Sequence, residues 1–258
     1  MTPLLRSGKT VLTIALAQSI WGVSHEKARD LLGILNQKGW IKRIKAGVYI
    51  PVPLEADPNY WGTEDPWTLG KELFSPCYIG GWDAANYWGF TDQLFQKTWI
   101  YTSQPVSKKN VSFGGTEYML THISEKNLFG TKDIRRNNAT IPLSDPTRTI
   151  LDLVEFMEEF GGISAVVEVF EVYLKSPYKN VSLILEYGRQ KGNKTVFKKI
   201  GFLLDLLGAL SKNEYEQFQG ELSAGYSQIC SKQPGQRIVT KWRLKMPKSW
   251  KNRYDSKI

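Results

Sequence analysis

The first fifty residues place a short apolar run, a glycine and a longer amphipathic segment in succession, and this order most strongly limits what the chain can fold into. After Thr10 the run from Val11 to Ile20 is mainly apolar and predicts a short buried helix that ends at Gly22. Ser24 follows as a candidate N-cap, because its hydroxyl can accept a hydrogen bond from a backbone N–H of the next helix.

The segment after Ser24 predicts a second helix followed by a β-hairpin. Apolar residues recur at positions 28, 31, 32 and 35, which predicts one buried helical face. Gly39 ends this helix, and two strand-like runs, 40–44 and 48–51, follow with a short turn that contains Gly47. This order of elements predicts a winged helix-turn-helix.

In a winged helix-turn-helix the second helix enters the DNA major groove and the hairpin contacts the backbone or the minor groove. The candidate DNA-binding residues are therefore Ser24, His25, Lys27, Arg29, Lys42, Arg43 and Lys45. Glu26, Asp30 and Gln37 also point outward, and the two acids repel phosphate. A winged helix that binds only another protein is the alternative, and DNA binding is the hypothesis that we favour.

The charge of the chain is unevenly distributed. The net charge is +9, with a strongly basic head at 1–52, a strongly basic end at 232–258 and a mildly acidic body between them. This asymmetry is expected of a protein that binds a polyanion. Two solvated lysine-rich ends would give the same pattern, so charge alone leaves both interpretations open.

Residues 60–258 predict a larger mixed domain behind a linker marked by Pro51, Pro53 and Pro58. Helical patterns cover 67–74, 82–88, 145–161, 163–175, 181–190, 195–209 and 213–222, and strand-like runs cover 77–79, 97–102, 111–113 and 118–123. The predicted fold class is α+β: a winged helix-turn-helix at 1–52, a sheet-containing part at about 60–144, a mostly helical part at about 145–235, and a final basic strand and tail at 236–258.

The final strand alternates basic and apolar residues, which is typical of a half-buried strand. Lys241, Arg243 and Lys245 would form a secondary basic surface, with Trp242 between them. Such a surface could contact single-stranded nucleic acid. A strand held by a buried Trp242, with its lysines in solvent, is the interpretation that we prefer.

Several classes of protein and site are not expected. The two cysteines are 153 positions apart and the two histidines are isolated, so no disulfide framework and no zinc site are predicted. No apolar stretch is long enough for a membrane span, and residues 1–10 do not have the pattern of a signal peptide. We expect a cytoplasmic protein without a membrane partner, a cofactor or a metal.

Acidic residues on the helix after Pro146 are the only candidates for catalysis. Asp152, Glu155 and Glu159 lie on one surface at helical spacing, and Arg148 is an i, i+4 partner for Asp152. We interpret them as the charged outer face of an amphipathic helix. No catalytic residue is predicted, and we expect that the protein is not an enzyme.

Three stretches together resemble a known family. They are the hairpin end 45–51 (KAGVYIP), the run 78–91 (YIGGWDAANYWGFT) and the helix start 145–152 (DPTRTILD), and the closing WRL at 242–244 also fits. In this order they resemble the AbiEi-type antitoxins of type IV, or abortive infection, toxin–antitoxin systems. The helices between 163 and 230 contribute no motif to the resemblance.

The resemblance implies a winged helix that binds inverted repeats in promoter DNA and represses its own operon. It also implies a C-terminal part that counteracts a cognate nucleotidyltransferase toxin, without the need for a stable complex. Two alternatives remain: a stand-alone regulator whose aromatic-rich segment 60–101 senses a small molecule, and a nuclease that uses carboxylates of the body.

Overall fold

The computed structural model describes residues 11–52, 65–93, 95–113, 115–136, 139–230 and 237–247. Within these ranges the chain is a mixed α+β structure with nine α-helices and three β-sheets. The helices are α1 Ile14–Trp21, α2 His25–Gln37, α3 Pro66–Phe74, α4 Gly81–Tyr87, α5 Pro146–Glu155, α6 Gly162–Lys175, α7 Val181–Lys191, α8 Lys194–Leu206 and α9 Lys212–Gly220. Most of the predicted linker and the end of the basic tail lie outside the described residues.

Twelve strands in the described ranges form the sheets. They are β1 Leu12–Thr13, β2 Ile41–Lys45, β3 Val48–Pro51, β4 Cys77–Ile79, β5 Lys97–Thr102, β6 Asn110–Phe113, β7 Thr116–His122, β8 Thr131–Arg136, β9 Ala139–Ser144, β10 Ser227–Gln228, β11 Arg237–Val239 and β12 Leu244–Met246.

The N-terminal part is a small unit with its own core. Its three strands are antiparallel in the order β1-β3-β2, and α1 and α2 lie between β1 and β2 along the chain. Gly22, with φ 64°, ends α1, and the Ser24 hydroxyl accepts a hydrogen bond from the Lys27 backbone N–H at the start of α2. The core of the unit consists of Leu12, Ala17, Ala28, Leu32, Leu35, Ile41 and Tyr49. The two helices, the N-cap and the hairpin predicted from sequence are confirmed.

The body is built on a six-stranded mixed sheet in the order β6-β7-β5-β4-β9-β8. The parallel pairs are β5 with β7 and β4 with β9, and the other neighbours are antiparallel. A core that includes residues of α3 lies against this sheet, and a second, larger core joins α5 to α9 with the C-terminal strands. Val11 and Ile50 of the N-terminal unit belong to the α3 core, so the unit packs directly on the body.

Two boundaries differ from the sequence predictions. Helix α5 ends at Glu155 instead of at Gly161, because residues 156–160 form turns that bury Met157 and Phe160. The predicted single C-terminal strand is wrong, since β11 and β12 are antiparallel partners joined by a 3₁₀ turn at Thr240–Trp242. Trp242 is buried as expected, and its indole packs directly over Gly201 of α8.

Candidate nucleic-acid interface

An open groove of about 640 Å³ separates α2 from the β2–β3 hairpin. Its lining residues are Ile14, Arg29, Asp30, Gly33, Ile34, Gln37, Arg43, Ala46, Gly47 and Tyr49. The Cβ position of Gly33 meets no atom within 4 Å, and the neighbouring Ile34 side chain is 46% exposed. The groove is therefore lined by an exposed apolar side chain, Ile34, and by two arginines, Arg29 of α2 and Arg43 of the hairpin.

Arg29 and Arg43 are both exposed on the walls of this groove. Arg29 Nε lies 3.4 Å from Asp30 Oδ1, and both side chains are mostly in solvent. An exposed pair of this kind contributes between about 0 and 1 kcal/mol, so Arg29 can exchange Asp30 for an external anion at small cost. The backbone N–H of Arg43 donates to Asn36 Oδ1 at 2.9 Å, which fixes the hairpin against α2.

The first turn of α2 forms one end of the same unit. Ser24, His25 and Lys27 are exposed there. The backbone N–H groups of a helix N-terminus and its dipole favour an anion, and Lys27 adds a full positive charge. Lys42 is half-buried on β2. The structure thus places Arg29 and Arg43 on one groove and Lys27 separately, in the first turn of α2.

Lys45 lies elsewhere. Its Nζ donates to the carbonyl of Leu73 in α3 at 3.1 Å and lies 5.4 Å from the centre of the Phe74 ring. Burial lowers the pKa of the Lys45 ammonium. Lys45 therefore connects the hairpin to the body and is not among the residues that line the groove.

The predicted secondary basic surface does not form one face of a continuous strand. Lys241 Nζ lies 2.9 Å from Asp205 Oδ2. Arg243 donates from one guanidinium nitrogen to the carbonyls of Leu222 and Ser223. Lys245 is half-buried on β12. At least Arg243 has a structural role, because it ties β12 to the chain after α9.

The charged cluster on α5 is buried, so the interpretation of Asp152 as part of an exposed outer face is wrong. Arg148 and Asp152 form the predicted i, i+4 pair, but both side chains are 0% exposed. Tyr78 of β4 donates its hydroxyl to Asp152 Oδ2 at 2.9 Å and accepts from Arg148 at 2.7 Å. Lys191 of α7 donates to Asp152 Oδ1 at 2.8 Å and also pairs with Glu155.

This buried cluster has the features of a structural junction. Burial opposes ionisation of Asp152, but Arg148 and Lys191 together hold the pKa of this carboxyl below its ordinary value. Protein donors occupy both carboxylate oxygens, and solvent does not reach them. Spacing alone revealed the Arg148–Asp152 pair. Tyr78 is 70 positions from Arg148 and Lys191 is 39 positions from Asp152, so neither left a local signal in the sequence.

Among the described residues no group of three His, Cys, Asp or Glu side chains is arranged to hold a metal ion. Cys77 and Cys230 are buried and unpaired with each other. In the same part of the chain, every helix is too short or too polar to cross a membrane. A scan against models of known protein families gives no match, and a search of curated proteins finds no significant relative.

Proposed function

We propose that this protein is a DNA-binding regulator that contacts duplex DNA through the N-terminal unit, folded as a winged helix-turn-helix. The observation that carries the proposal is the groove between α2 and the hairpin, with Arg29 on one wall and Arg43 on the other. The strand order β1-β3-β2, with two helices between β1 and β2, also supports it.

The groove offers two kinds of contact to DNA. Arg29 and Arg43 of the groove, and Lys27 in the first turn of α2, would neutralise phosphates, which supplies affinity without sequence choice. Ile34 would contact a thymine methyl group, and Asp30 could accept a hydrogen bond from the cytosine N4 amine. In this proposal Asp30, which would repel a phosphate, contributes to the choice of base instead.

The wider role that we propose is that of an AbiEi-type antitoxin, which represses its own operon and counteracts a cognate nucleotidyltransferase toxin. It rests on the resemblance of the ordered stretches 45–51, 78–91 and 145–152. The last two stretches meet in space, since the Tyr78 hydroxyl donates a hydrogen bond to Asp152. The Trp88 indole N–H also donates to the carbonyl of Ser144, the residue just before the last stretch, at 2.8 Å. These contacts support treating the two stretches as parts of one structural unit.

A gel-shift titration with DNA from upstream of the gene tests the DNA-binding proposal. Full-length protein is compared with the variant Lys27→Gln/Arg29→Gln/Arg43→Gln, with random duplex as competitor. Substitutions are preferable to deletion of the N-terminal unit, because Val11 and Ile50 pack in the core of the body. We expect competitor-resistant binding that the triple variant loses while its far-UV circular dichroism is unchanged.

Two results would contradict the proposal: the absence of a specific shift, and a shift that the triple variant retains. A separate experiment tests the antitoxin role: the protein is co-expressed with a candidate nucleotidyltransferase toxin encoded by a neighbouring gene, and growth is measured. If the triple variant still rescues growth, neutralisation resides in the body. If the wild-type protein fails to rescue, the antitoxin role is wrong and the regulator alone remains.

A further inference from the structure

A row of partly exposed aromatic rings lies on the body, and none of its residues lines the groove between α2 and the hairpin. We define this aromatic row as Tyr87, Trp88 and Tyr178. Tyr87 is 47% and Tyr178 is 40% exposed, and each meets Trp88 edge to face, with ring centroids 4.9 and 5.5 Å apart. Exposed rings that contact one another form a surface on which flat ligands can stack.

Two cations of β8 lie beside this row. Lys132 Nζ lies 5.6 Å from the centre of the Trp88 ring, and the Arg136 guanidinium lies 4.3 Å from the centre of the Trp67 ring, which itself contacts Tyr87. Side chains alternate along a strand, so Lys132 and Arg136 share a face and are roughly 13 Å apart along it. Strand β8 is at the edge of the six-stranded sheet.

The two nearby acids, Asp65 and Asp83, are both engaged by protein groups on this side of the sheet. The Asp65 side chain is 7% exposed; it pairs with Arg136 and caps α3. The Asp83 carboxylate accepts from the Trp67 indole and from the Trp99 backbone N–H, both at 2.8 Å. Asp133, between the two cations in sequence, alternates to the opposite face of β8. Both carboxylates on this side thus serve to fix Trp67 and Arg136.

Three side chains of this surface are held by hydrogen bonds or ion pairs with the rest of the protein. The Trp88 indole N–H donates to the Ser144 carbonyl, and the Trp67 indole N–H donates to Asp83. Arg136 is held between Asp65 and the Trp67 ring. Little side-chain freedom remains to be lost at Trp67, Trp88 and Arg136, which favours binding.

We propose that the aromatic row, with Lys132 and Arg136, is a binding site for single-stranded nucleic acid. Unpaired bases stack on Tyr87 and Tyr178, and the phosphates between them contact Lys132 and Arg136. Stacking on aromatic rings combined with backbone cations is the usual way in which proteins hold single strands without reading sequence. A proline-rich peptide could also pack on the aromatic rings, but it carries no phosphate for Lys132 and Arg136 to contact.

Fluorescence anisotropy of the full-length protein tests the proposal, with labelled oligothymidylate and oligouridylate of equal length as probes. We expect both to bind, and Tyr87→Ala/Tyr178→Ala to weaken binding by about tenfold or more. Tyr87→Phe should preserve affinity, because the ring face remains. Tyr226→Ala, which removes an equally exposed tyrosine outside the row, serves as the matched control. Stronger binding of one probe shows whether the site prefers single-stranded DNA or single-stranded RNA.

The groove variant Lys27→Gln/Arg29→Gln/Arg43→Gln separates this proposal from the duplex-binding one, since it should keep single-strand binding. Lys132→Gln should lower the salt slope for the single strands by about 0.7. The proposal is overturned if neither probe binds, if Tyr87→Ala/Tyr178→Ala binds as tightly as wild type, or if a labelled polyproline peptide binds the row and the oligonucleotides do not.

Discussion

Arg148 Nε lies 3.0 Å from Asp152 Oδ1, one turn along α5, and both side chains are inaccessible to solvent. Together with Tyr78 from β4 and Lys191 from α7, this pair links the sheet to the helical part of the body. A buried ion pair is tolerated only when its remaining hydrogen-bonding capacity is satisfied, and here the phenol and the lysine satisfy it.

Asp152→Ala should therefore be strongly destabilising. It leaves Arg148 and Lys191 as buried cations without this carboxylate, and breaking such a pair costs about 3–5 kcal/mol. Urea unfolding followed by circular dichroism measures the loss. Arg189→Ala is the control, because its pair with Glu221 is partly exposed to solvent and should contribute about 1 kcal/mol or less. Equal effects of the two variants would show that the buried pair has no special role.

The stability of the protein should fall between pH 4 and 7 through Asp83. Burial raises the pKa of this carboxyl to about 7, despite the N–H groups of Trp99 and Trp67. The folded state then binds more protons than the unfolded one, whose carboxyl has a pKa of about 3.9. The contribution of Asp83 to the free energy of unfolding is thus greatest at low pH and declines as pH rises to about 7.

Asp83→Asn tests this contribution. We expect the stability of the wild type relative to the variant to decrease from about pH 5 to about pH 8, since the amide does not titrate in this range. Denaturant titrations of both proteins at the two pH values give the difference directly. A difference that does not change with pH would mean that Asp83 is ionised in the folded protein over the whole range.

Arg43 and Lys45 are two residues apart on the hairpin but should behave differently toward DNA. Arg43→Gln should lower the slope of log affinity against log salt by about 0.9, the effect of one lost phosphate contact. Lys45→Gln should change the slope by much less, because its ammonium is bonded to the Leu73 carbonyl. Gel shifts across a salt series measure both slopes. If Lys45→Gln flattens the slope as much as Arg43→Gln, Lys45 leaves Leu73 to bind DNA.

Two glycine substitutions should have opposite effects on stability. A Cβ at Gly201 would overlap the Trp242 ring, so Gly201→Ala should destabilise the protein by about 1–3 kcal/mol. A Cβ at Gly33, within α2, would meet nothing within 4 Å, and Gly33→Ala should stabilise by about 0.5–1 kcal/mol. Thermal unfolding of both variants gives the comparison, and a stable Gly201→Ala would require that Trp242 can move.

Local sequence patterns predicted the helices and strands better than they predicted the contacts of the side chains. Gly22, Ser24 and the helical spacing of apolar residues correctly predicted α1 and α2, because caps and periodicity act within a few residues. The burial of Asp152 could not be predicted, since spacing places a carboxylate on a helix face but does not show which face contacts the core. Its hydrogen-bond donors Tyr78 and Lys191 come from distant parts of the chain.

The same limit explains the error at the C-terminus and the contact of Lys45 that the sequence does not indicate. Alternation from Lys241 to Met246 resembles a strand, but Arg243 adopts φ 50° in the turn that allows β12 to pair with β11. The sequence of the hairpin marks Lys45 as basic and says nothing of Leu73, which lies 28 positions further on. Contacts between distant segments decide which cations are available to a ligand.

The hydrogen bond from Lys45 to Leu73, with Val11 and Ile50 packed into the core of the body, also has a thermodynamic consequence. A ligand that displaces the hairpin from α3 must break these contacts, and a ligand that strengthens them must hold the hairpin in place. If a ligand bound to the body changes the affinity of the hairpin for its own ligand, then the hairpin's ligand changes the affinity of the body for the first ligand by the same factor. The packing between the two parts thus provides a physical route for reciprocal control.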